Sequence, residues 1–335
     1  MSSMERARRI TDFLARQGWA AGQRWPLAGD ASFRRYERLT RGTERAVLMD
    51  APPPQENVRA FMAIDRLLAG AGLAVPKIYG ADEAAGLLLL EDLGDDTYTR
   101  LLARGGSESQ LYELAVDLLI ELHRRLPPEK LAGVPKFDDA MALRQVKLLL
   151  EWYWPATQGD AAPEAAVERF QSAWEPVLAL WRRSACGLVL FDYHVDNLML
   201  LAGRSGIASV GLLDFQDAVV GSRSFDLVSL IDDARRDVPG ELASLLMRRY
   251  LAAFPGLDRA SFAAAYAASA AQRHTRILGT FTRLCRRDGK PAYLAFIPRV
   301  WRQLEACLVH PELASLAAWF ARYLPPERRT VPPVH

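Results

Sequence analysis

The pattern of apolar residues changes near residue 92, from mostly short strands to mostly long helices. Before that point, a glycine-containing turn leads into two strands joined at the tip RGTE, and AVPKIYGADEAAGLLLLEDL contains two further strands. Helical spacing predicts one helix over residues 4–19 and a second in QENVRAFMAIDRLLAGAG, which ends at glycine. The pattern therefore predicts a small β-rich lobe over residues 1–92.

Beyond EDLGDDTY the pattern becomes that of long helices. In SQLYELAVDLLIELHRRL the apolar positions follow a period of about 3.6 residues. Two short β segments, GLVLFD and SVGLLDF, interrupt the helices, and everything after about residue 225 reads as helical. We expect an α+β fold of two lobes, in which residues 93–335 form the larger, helical lobe.

Composition narrows the class of protein. The chain has 335 residues, of which 50% are hydrophobic and 24% are charged, which suits two packed lobes. We find no apolar run near the roughly 20 residues that span a bilayer. Three cysteines without a C-x-x-C spacing argue against a disulfide framework and a structural zinc. A reduced, cytoplasmic setting is the expectation.

The charge is distributed unevenly although the net value is only +2. Residues 241–335 contain 14 basic and 6 acidic side chains, whereas the first 240 residues contain 28 basic and 34 acidic ones. The basic residues are scattered among Ala, Leu and Trp, which does not favour nucleic-acid binding. A pocket for a small anionic substrate and ordinary solvated helix faces both fit this pattern.

One run, LVLFDYHVDNLML at residues 188–200, concentrates polar groups between apolar flanks. Asp192 and Asn197 stand five residues apart, and a second strand delivers Asp214 in GLLDFQD. Carboxylate and amide oxygens are ligands that Mg²⁺ prefers, and phosphoryl transfer needs a metal and a carboxylate that orients the attacking hydroxyl. A lone D-x4-N is common in turns, so the second aspartate is what makes the signal specific.

The motifs taken in order resemble a known family. G-x-x-S, LLLLEDL, LVLFDYHVDN, LLDFQDA and GSRSFDLVSL resemble the aminoglycoside phosphotransferase family over nearly the whole chain. That resemblance implies a two-lobed protein-kinase-like fold and the use of ATP and Mg²⁺. GDASFRRY and IPRVWRQLE also resemble one branch of this family, the bacterial kinases of peptidoglycan recycling that phosphorylate N-acetylmuramate and N-acetylglucosamine at C1.

The resemblance implies roles for particular residues. Asp192 would be the catalytic base, and Asn197 and Asp214 would be magnesium ligands. Glu91 and Leu93 would lie in the hinge that meets adenine. The turn over the ATP phosphates would consist of Gly29, Asp30, Ala31 and Ser32.

Two positions depart from the family pattern. Met49 occupies the strand position that usually carries a phosphate-binding lysine, and Ala60 lies near the position of its usual glutamate partner. Arg34 or Arg35, on the strand that leaves the glycine turn, could supply the missing charge. This is a hypothesis, and Arg34 is our candidate for contact with the nucleotide.

The acceptor site is predicted less sharply. The resemblance implies substrate contacts from His194, Asp196, Arg273 and His274, with Arg276 near them on the same C-terminal helix. The alternatives are a structural role for His194 in its loop and plain surface positions for the others. His123 is expected to be structural, and Asp226 is expected to cap a helix and bond the loop backbone. The aromatics Trp152–Trp154 are expected to lie in the core, with stacking on a sugar as the alternative.

Three functions remain open. In a sugar 1-kinase the anomeric hydroxyl is more acidic than an ordinary alcohol, and the basic C-terminal third suits the carboxylate of N-acetylmuramate. An aminoglycoside or choline kinase would need an acidic pocket for its cationic acceptor. A silent nucleotide-binding protein would explain the missing lysine but not the retained acids. We expect a monomer that takes a small-molecule sugar and binds neither nucleic acid nor membrane.

Overall fold

The computed structural model describes residues 3–27 and 33–334, and within them the chain forms two compact units. The first consists of the described residues up to Ala115 together with Val195–Asp217. The second consists of Val116–His194 and the described residues from Ala218 onward. The lobe boundary expected at residue 92 stays a prediction.

The elements are numbered in chain order. The strands are β1 (Gln23–Pro26), β2 (Arg35–Arg41), β3 (Glu44–Asp50), β4 (Ile78–Asp82), β5 (Leu87–Glu91), β6 (Cys186–Val189), β7 (Leu198–Leu200), β8 (Val210–Leu212) and β9 (Val219–Ser222). The α-helices are α1 (Ser3–Arg16), α2 (Val58–Gly70), α3 (Tyr98–Ala103), α4 (Glu108–Arg125), α5 (Asp139–Val146), α6 (Trp154–Gln158), α7 (Glu164–Arg183), α8 (Ser224–Ile231), α9 (Gly240–Ala252), α10 (Arg259–Arg286), α11 (Ile297–Leu308) and α12 (Ala314–Tyr323). None of these described helices is long and apolar enough to cross a membrane.

The first unit is built on a five-stranded antiparallel sheet with the order β1-β2-β3-β5-β4. Because successive strand residues face opposite sides, the sheet has two distinct faces. One face packs against α1, and its buried cluster is Ile10, Phe13, Leu14, Trp19, Leu39, Ala46, Leu48, Ala85, Leu87 and Leu89. The alternate positions, including Val47 and Leu90, point to the other face and line a cavity.

Most of the predicted elements of this unit are confirmed. The tip RGTE joins β2 to β3 in the register Arg41 with Glu44, and helix α2 ends where the glycines were expected to end it. Strand β1 was not predicted. All four of its residues are exposed at the sheet edge, so it carries no alternation of buried and exposed positions.

Strands β7 and β8 form a separate hairpin in the first unit. Leu198 pairs with Leu212 and Leu200 with Val210, so Asn197, just before β7, and Asp214, two residues after β8, lie at the same end of the hairpin. The two segments GLVLFD and SVGLLDF are therefore not partners of each other. The first pairs with β9, and the second with β7.

The second unit is mainly helical, as expected for the region after residue 225. Its core is centred on α10, a helix of 28 residues with a long buried face. At Gly279 this helix approaches a π-helical turn, Leu149–Tyr153, so closely that a Cβ would lie 2.3 Å from the backbone oxygen of Leu148. Tyr153 and Trp154 are buried in this core, which favours the structural alternative for these two aromatics.

Candidate active site

A cavity of about 340 Å³ lies in the first unit, between the sheet and the β7–β8 hairpin. Its volume is within the range of ligand pockets. Apolar side chains from both sides form its walls. They are Leu27, Val47, Phe61, Pro76, Leu90, Leu93, Met199, Leu213 and Phe215. An apolar slot between two layers suits a flat aromatic ring such as a nucleobase.

The segment that follows β5 forms one wall of the cavity. Glu91 and Leu93, the expected hinge residues, both line it. Arg38 holds this segment in place, because its guanidinium donates to the carboxylates of Asp92 and Asp95, each at 3.0 Å, and to the carbonyl oxygen of Gly94. The structure thus places the hinge candidates on a braced segment at the cavity.

At the polar side of the cavity, Arg34 lies between two carboxylates. Its Nη2 donates to Asp214 at 2.8 Å, and its Nε lies 3.9 Å from Glu56. Burial opposes the charge of Arg34, but Tyr36, Asp214 and Glu56 outweigh it, and the pKa of the guanidinium is raised. Arg34 is buried, whereas its neighbour Arg35 is exposed, so the geometry favours Arg34 of the two candidates.

Asn197 and Asp214 line the same cavity, so the structure brings the two expected metal ligands together. Asp214 has a φ of 57°, which is uncommon outside glycine, and it accepts a hydrogen bond of 3.0 Å from Gln216. The ring of the next residue, Phe215, packs 4.9 Å from that of Phe61 on α2. These contacts fix the turn that presents the Asp214 carboxylate.

The donor set fits magnesium as it is bound in phosphoryl-transfer sites. Such sites use one or two protein oxygens, and phosphate and water supply the rest. Asn197 and Asp214 provide that number, and the described residues contain no group of three or more His, Cys, Asp or Glu that could hold a metal unaided.

Two other expectations concern the same region. Gly29, Asp30, Ala31 and Ser32, the expected turn over the phosphates, lie outside the described residues. Met49 is buried on β3 between Tyr36 and Leu88 in the strand register. An apolar side chain thus stands at the strand position where the family usually places a lysine.

In the second unit, the buried carboxylate of Asp226 fixes the loop that carries Asp192. It accepts hydrogen bonds from the backbone N–H groups of Leu190 at 2.7 Å and Phe191 at 3.0 Å, as expected, although it lies inside α8 and not at its cap. Phe191 has a φ of 67°, a strained conformation for a bulky residue that the surrounding bonds must maintain. Asp192 follows directly, with its side chain 41% exposed and therefore open to a substrate.

The four substrate candidates occupy different environments. His194 is buried, with its Nε2 3.4 Å from Nη1 of Arg235 in the second unit. Asp196, in the first unit, accepts a hydrogen bond from the hydroxyl of Thr99. Neither contact decides between a substrate role and a structural one.

Arg273 and His274 are both almost fully buried in the second unit. Arg273 donates to the hydroxyl of Ser229 at 3.0 Å and to the carbonyl oxygen of Asp232 at 3.2 Å. Burial lowers the pKa of His274, whose Nε2 lies 3.9 Å from Asp232. These contacts argue against direct binding of a substrate, and the role of both residues stays a prediction.

The chain matches the phosphotransferase enzyme family over residues 25–263, more than half of its length. It belongs to this family. It is 40% identical to the N-acetylmuramate/N-acetylglucosamine kinase of Caulobacter vibrioides, over 98% of this chain and 99% of that protein. A protein of the same name from Pseudomonas aeruginosa is 36% identical over 93% of each chain.

Solved structures of the phosphotransferase family show the same fold. A choline kinase from Streptococcus pneumoniae superposes with a TM-score of 0.65 at 14% identity, over 92% of this chain and 100% of the other. At such low identity the similarity concerns the fold alone. The expected α+β, protein-kinase-like fold is thereby confirmed.

Sequence reasoning missed one residue of the cavity and two that contact its lining. Glu56 precedes α2 by two residues, so a search for a glutamate on the helix itself passes over it. Gln216, beside Asp214, and Arg38, which braces the hinge segment, were also missed. Arg38 could have been predicted from the sequence, because it is an arginine at an inward-facing strand position and the chain contains the acidic segment EDLGDD.

Proposed function

We propose that this protein is an ATP-dependent kinase that phosphorylates the anomeric hydroxyl of N-acetylmuramate and N-acetylglucosamine. The observation that carries the proposal is the match, over nearly the full length of both chains, to relatives that are named as kinases of these two sugars. The acceptor is a small-molecule sugar. The cytoplasmic location and the monomeric state expected from the sequence stay predictions.

The cavity of the first unit would hold the nucleotide. Val47, Leu90 and Leu213 offer apolar contacts to the base, and the braced segment at Glu91 and Leu93 offers backbone groups to its edge. Arg34 also lines the cavity, beside Asp214, where the phosphates would be expected. It would supply the charge that a strand lysine gives in other members of the family.

Asn197 and Asp214 would hold magnesium on the nucleotide phosphates. When bound, the metal neutralises phosphate charge and orients the transferred phosphoryl group. Arg34 lies 2.8 Å from the Asp214 carboxylate and neutralises its charge. When the nucleotide and metal enter, Arg34 must either share this carboxylate with the metal or turn towards the phosphates.

Asp192 would act as the base. The C1 oxygen of the sugar forms a bond to the γ-phosphorus while the bond from that phosphorus to the β,γ-bridging oxygen breaks. The hydroxyl proton passes to a carboxylate oxygen of Asp192, and the products are the sugar 1-phosphate and ADP. An anomeric hydroxyl is more acidic than an ordinary alcohol, so a carboxylate of modest basicity is sufficient.

The charge near Asp192 argues against the second candidate, a choline or aminoglycoside kinase. Arg276 lies 3.6 Å from Asp192, and Arg235 lies beside His194. A cationic acceptor at this carboxylate would be repelled by both side chains. The silent nucleotide-binding protein is also disfavoured, because the candidate base and both metal ligands are present.

Phosphorus NMR of the reaction products tests the proposal. The protein would be incubated with ATP, Mg²⁺ and, separately, N-acetylmuramate, N-acetylglucosamine, glucose, choline and kanamycin. We expect a sugar 1-phosphate signal with the two N-acetyl sugars, absent with Asp192→Ala. Turnover with choline or kanamycin alone would overturn the proposal, and ATP binding without turnover on any acceptor would favour the silent protein.

A further inference from the structure

Three arginines, Arg235, Arg273 and Arg276, lie near the Asp192 loop in the second unit. Arg273 and Arg276 lie about one turn apart on α10, and Arg235 follows α8 in the next loop. The pKa of Arg273 is lowered to about 10, first by burial and further by Arg276 and Arg235, while Asp233 and Asp192 oppose this effect. The three guanidiniums are therefore close enough to act on one another.

Arg276 is the member of this group that reaches Asp192. Its Nη2 lies 3.6 Å from Oδ1 of Asp192, which is too long for a hydrogen bond. Its guanidinium lies over the ring of Phe191 at 5.6 Å, which limits the orientations available to it. Asp192 therefore attracts Arg276 without engaging its donors in a hydrogen bond, and a second carboxylate can approach them.

Arg235 adds a second guanidinium next to an aromatic surface. Its Cζ lies 5.9 Å and 6.0 Å from the ring centroids of Phe281 and Tyr293. Arg235 and Tyr293 are both partly exposed, and Nη1 of Arg235 lies 3.4 Å from His194, two residues after Asp192. Aromatic faces combined with a few placed polar groups are typical of small-molecule sites.

We propose that Arg276 and Arg235 bind the lactyl carboxylate of N-acetylmuramate and thereby set the preference of the enzyme for this sugar over N-acetylglucosamine. This inference rests on the proposed function. The lactyl group is attached at C3 and the reacting hydroxyl at C1 of the same ring, so a carboxylate held at Arg276 keeps the hydroxyl within one sugar ring of Asp192. Guanidinium is suited to the task, because it pairs with a carboxylate through two parallel hydrogen bonds.

The same arginines could instead meet a phosphate of the nucleotide. A nucleotide phosphate and a lactyl carboxylate at these arginines predict changes in different kinetic constants. Loss of a phosphate contact raises the KM for ATP with every acceptor. Loss of a lactyl contact lowers kcat/KM only for acceptors that carry the carboxylate.

The experiment compares three acceptors, N-acetylmuramate, its methyl ester and N-acetylglucosamine, in the full-length enzyme. The ester retains the size of the lactyl group and removes its charge. In Arg276→Gln we expect kcat/KM to fall about 10- to 100-fold more for the acid than for the ester and the neutral sugar, because any effect of Arg276 on Asp192 is common to all three acceptors. Arg235→Gln should show the same selectivity with a smaller effect.

Arg286→Gln is the matched control, because Arg286 lies on the same helix but is exposed. It should leave all three acceptors unchanged. If Arg276→Gln does not fold, Arg276→Lys keeps the charge and the stem, and it should still weaken the acid selectively, since lysine cannot form the paired hydrogen bonds.

The possible outcomes separate the two proposals. If the wild type phosphorylates neither N-acetyl sugar, the proposed function fails. If the wild type phosphorylates both and Arg276→Gln weakens acid, ester and neutral sugar equally, the carboxylate subsite is wrong. A rise in the KM for ATP with unchanged acceptor selectivity would assign the arginines to the nucleotide and would also overturn the subsite.

Discussion

The cavity of the first unit and the Asp192 loop of the second differ in how their arginines are engaged. The ionic side chains that line the cavity are four acids, Glu91, Asp92, Asp95 and Asp214, and three arginines, Arg34, Arg38 and Arg100. Each of these three arginines donates a hydrogen bond to an aspartate. In the second unit, in contrast, Nη2 of Arg276 lies 3.6 Å from Oδ1 of Asp192, beyond hydrogen-bond distance.

This difference is what two anionic substrates would require if only one brings its own cation. A nucleotide arrives with magnesium, so its site needs carboxylate and amide oxygens, and arginines that are already balanced by acids. A carboxylate on a sugar arrives without a metal, so its site must provide the cations itself. Under the proposed function, the contrast fits a different reactant in each unit.

The sharpest test of the contrast is to remove the candidate base. Asp192→Asn should lower kcat by about 10²- to 10⁴-fold, because the hydroxyl loses its proton acceptor. The affinity for ATP should change little, since Asp192 does not line the cavity. Single-turnover kinetics and nucleotide titration measure the two effects separately. Asp160→Asn, at an exposed position, is the control, and a comparable loss of ATP affinity in Asp192→Asn would contradict the division.

The next largest effect should come from Arg34. Arg34→Ala removes the guanidinium that donates to Asp214 at 2.8 Å, and we expect the KM for ATP to rise about tenfold or more, as for the loss of a charged phosphate contact. Arg35→Ala changes the adjacent, exposed residue and should have little effect. Steady-state kinetics with varied ATP compares the two. Equal KM values in both variants and the wild type would show that Arg34 does not serve the nucleotide.

How much of this site the sequence predicts depends on the kind of signal. Asp192, Asn197 and Asp214 were found because each stands beside an apolar strand in a recognisable spacing. The pairing of Arg34 with Glu56 and Asp214 joins residues far apart in the chain, and no periodicity encodes it. The sequence offered both Arg34 and Arg35, with Arg34 as our candidate, and burial and the hydrogen bond to Asp214 separate them in the structure.

The same holds for the fold. Long amphipathic helices and the strands β2, β3 and β5 were predicted, because the helices leave a period in the sequence and β5 is a continuous apolar run. The exposed edge strand β1 and the π-helical turn Leu149–Tyr153 leave no such period. The positive φ values of Phe191 and Asp214 were also invisible, because a bulky Phe disfavours that conformation, an Asp only tolerates it, and tertiary contacts impose it.

A smaller effect should come from Gly279, which sets the position of the helix that carries Arg276. In Gly279→Ala the new Cβ would meet the backbone of Leu148, and rigid backbone cannot move aside easily. We expect the free energy of unfolding to fall by about 1–3 kcal/mol, as for other overpacked sites. Gly240→Ala, where the structure leaves open space, is the control in urea unfolding. If Gly279→Ala is as stable as this control, the close approach does not constrain α10.

The smallest effect concerns pH and the buried His123 in the second unit. Its Nε2 lies 3.2 Å from the carbonyl oxygen of Leu188, and its Nδ1 lies 2.8 Å from the hydroxyl of Tyr250, so a neutral ring can donate to the first and accept from the second. Burial, aided by Arg223, lowers the pKa of His123 to about 3. Because the folded pKa lies below the unfolded one, the stabilisation is complete above about pH 6.5 and is lost as the pH falls towards 3. In that window His123 should reduce the free energy of unfolding by up to about 1.4 kcal/mol per pH unit.

His123→Gln isolates this contribution, because glutamine can also donate and accept but does not titrate. The variant should be less stable than the wild type at pH 7.5, and the gap should narrow at pH 5, since only the wild type loses the histidine contribution. Urea unfolding at the two pH values measures the gap. A gap of the same size at both would mean that His123 is not held neutral by its burial.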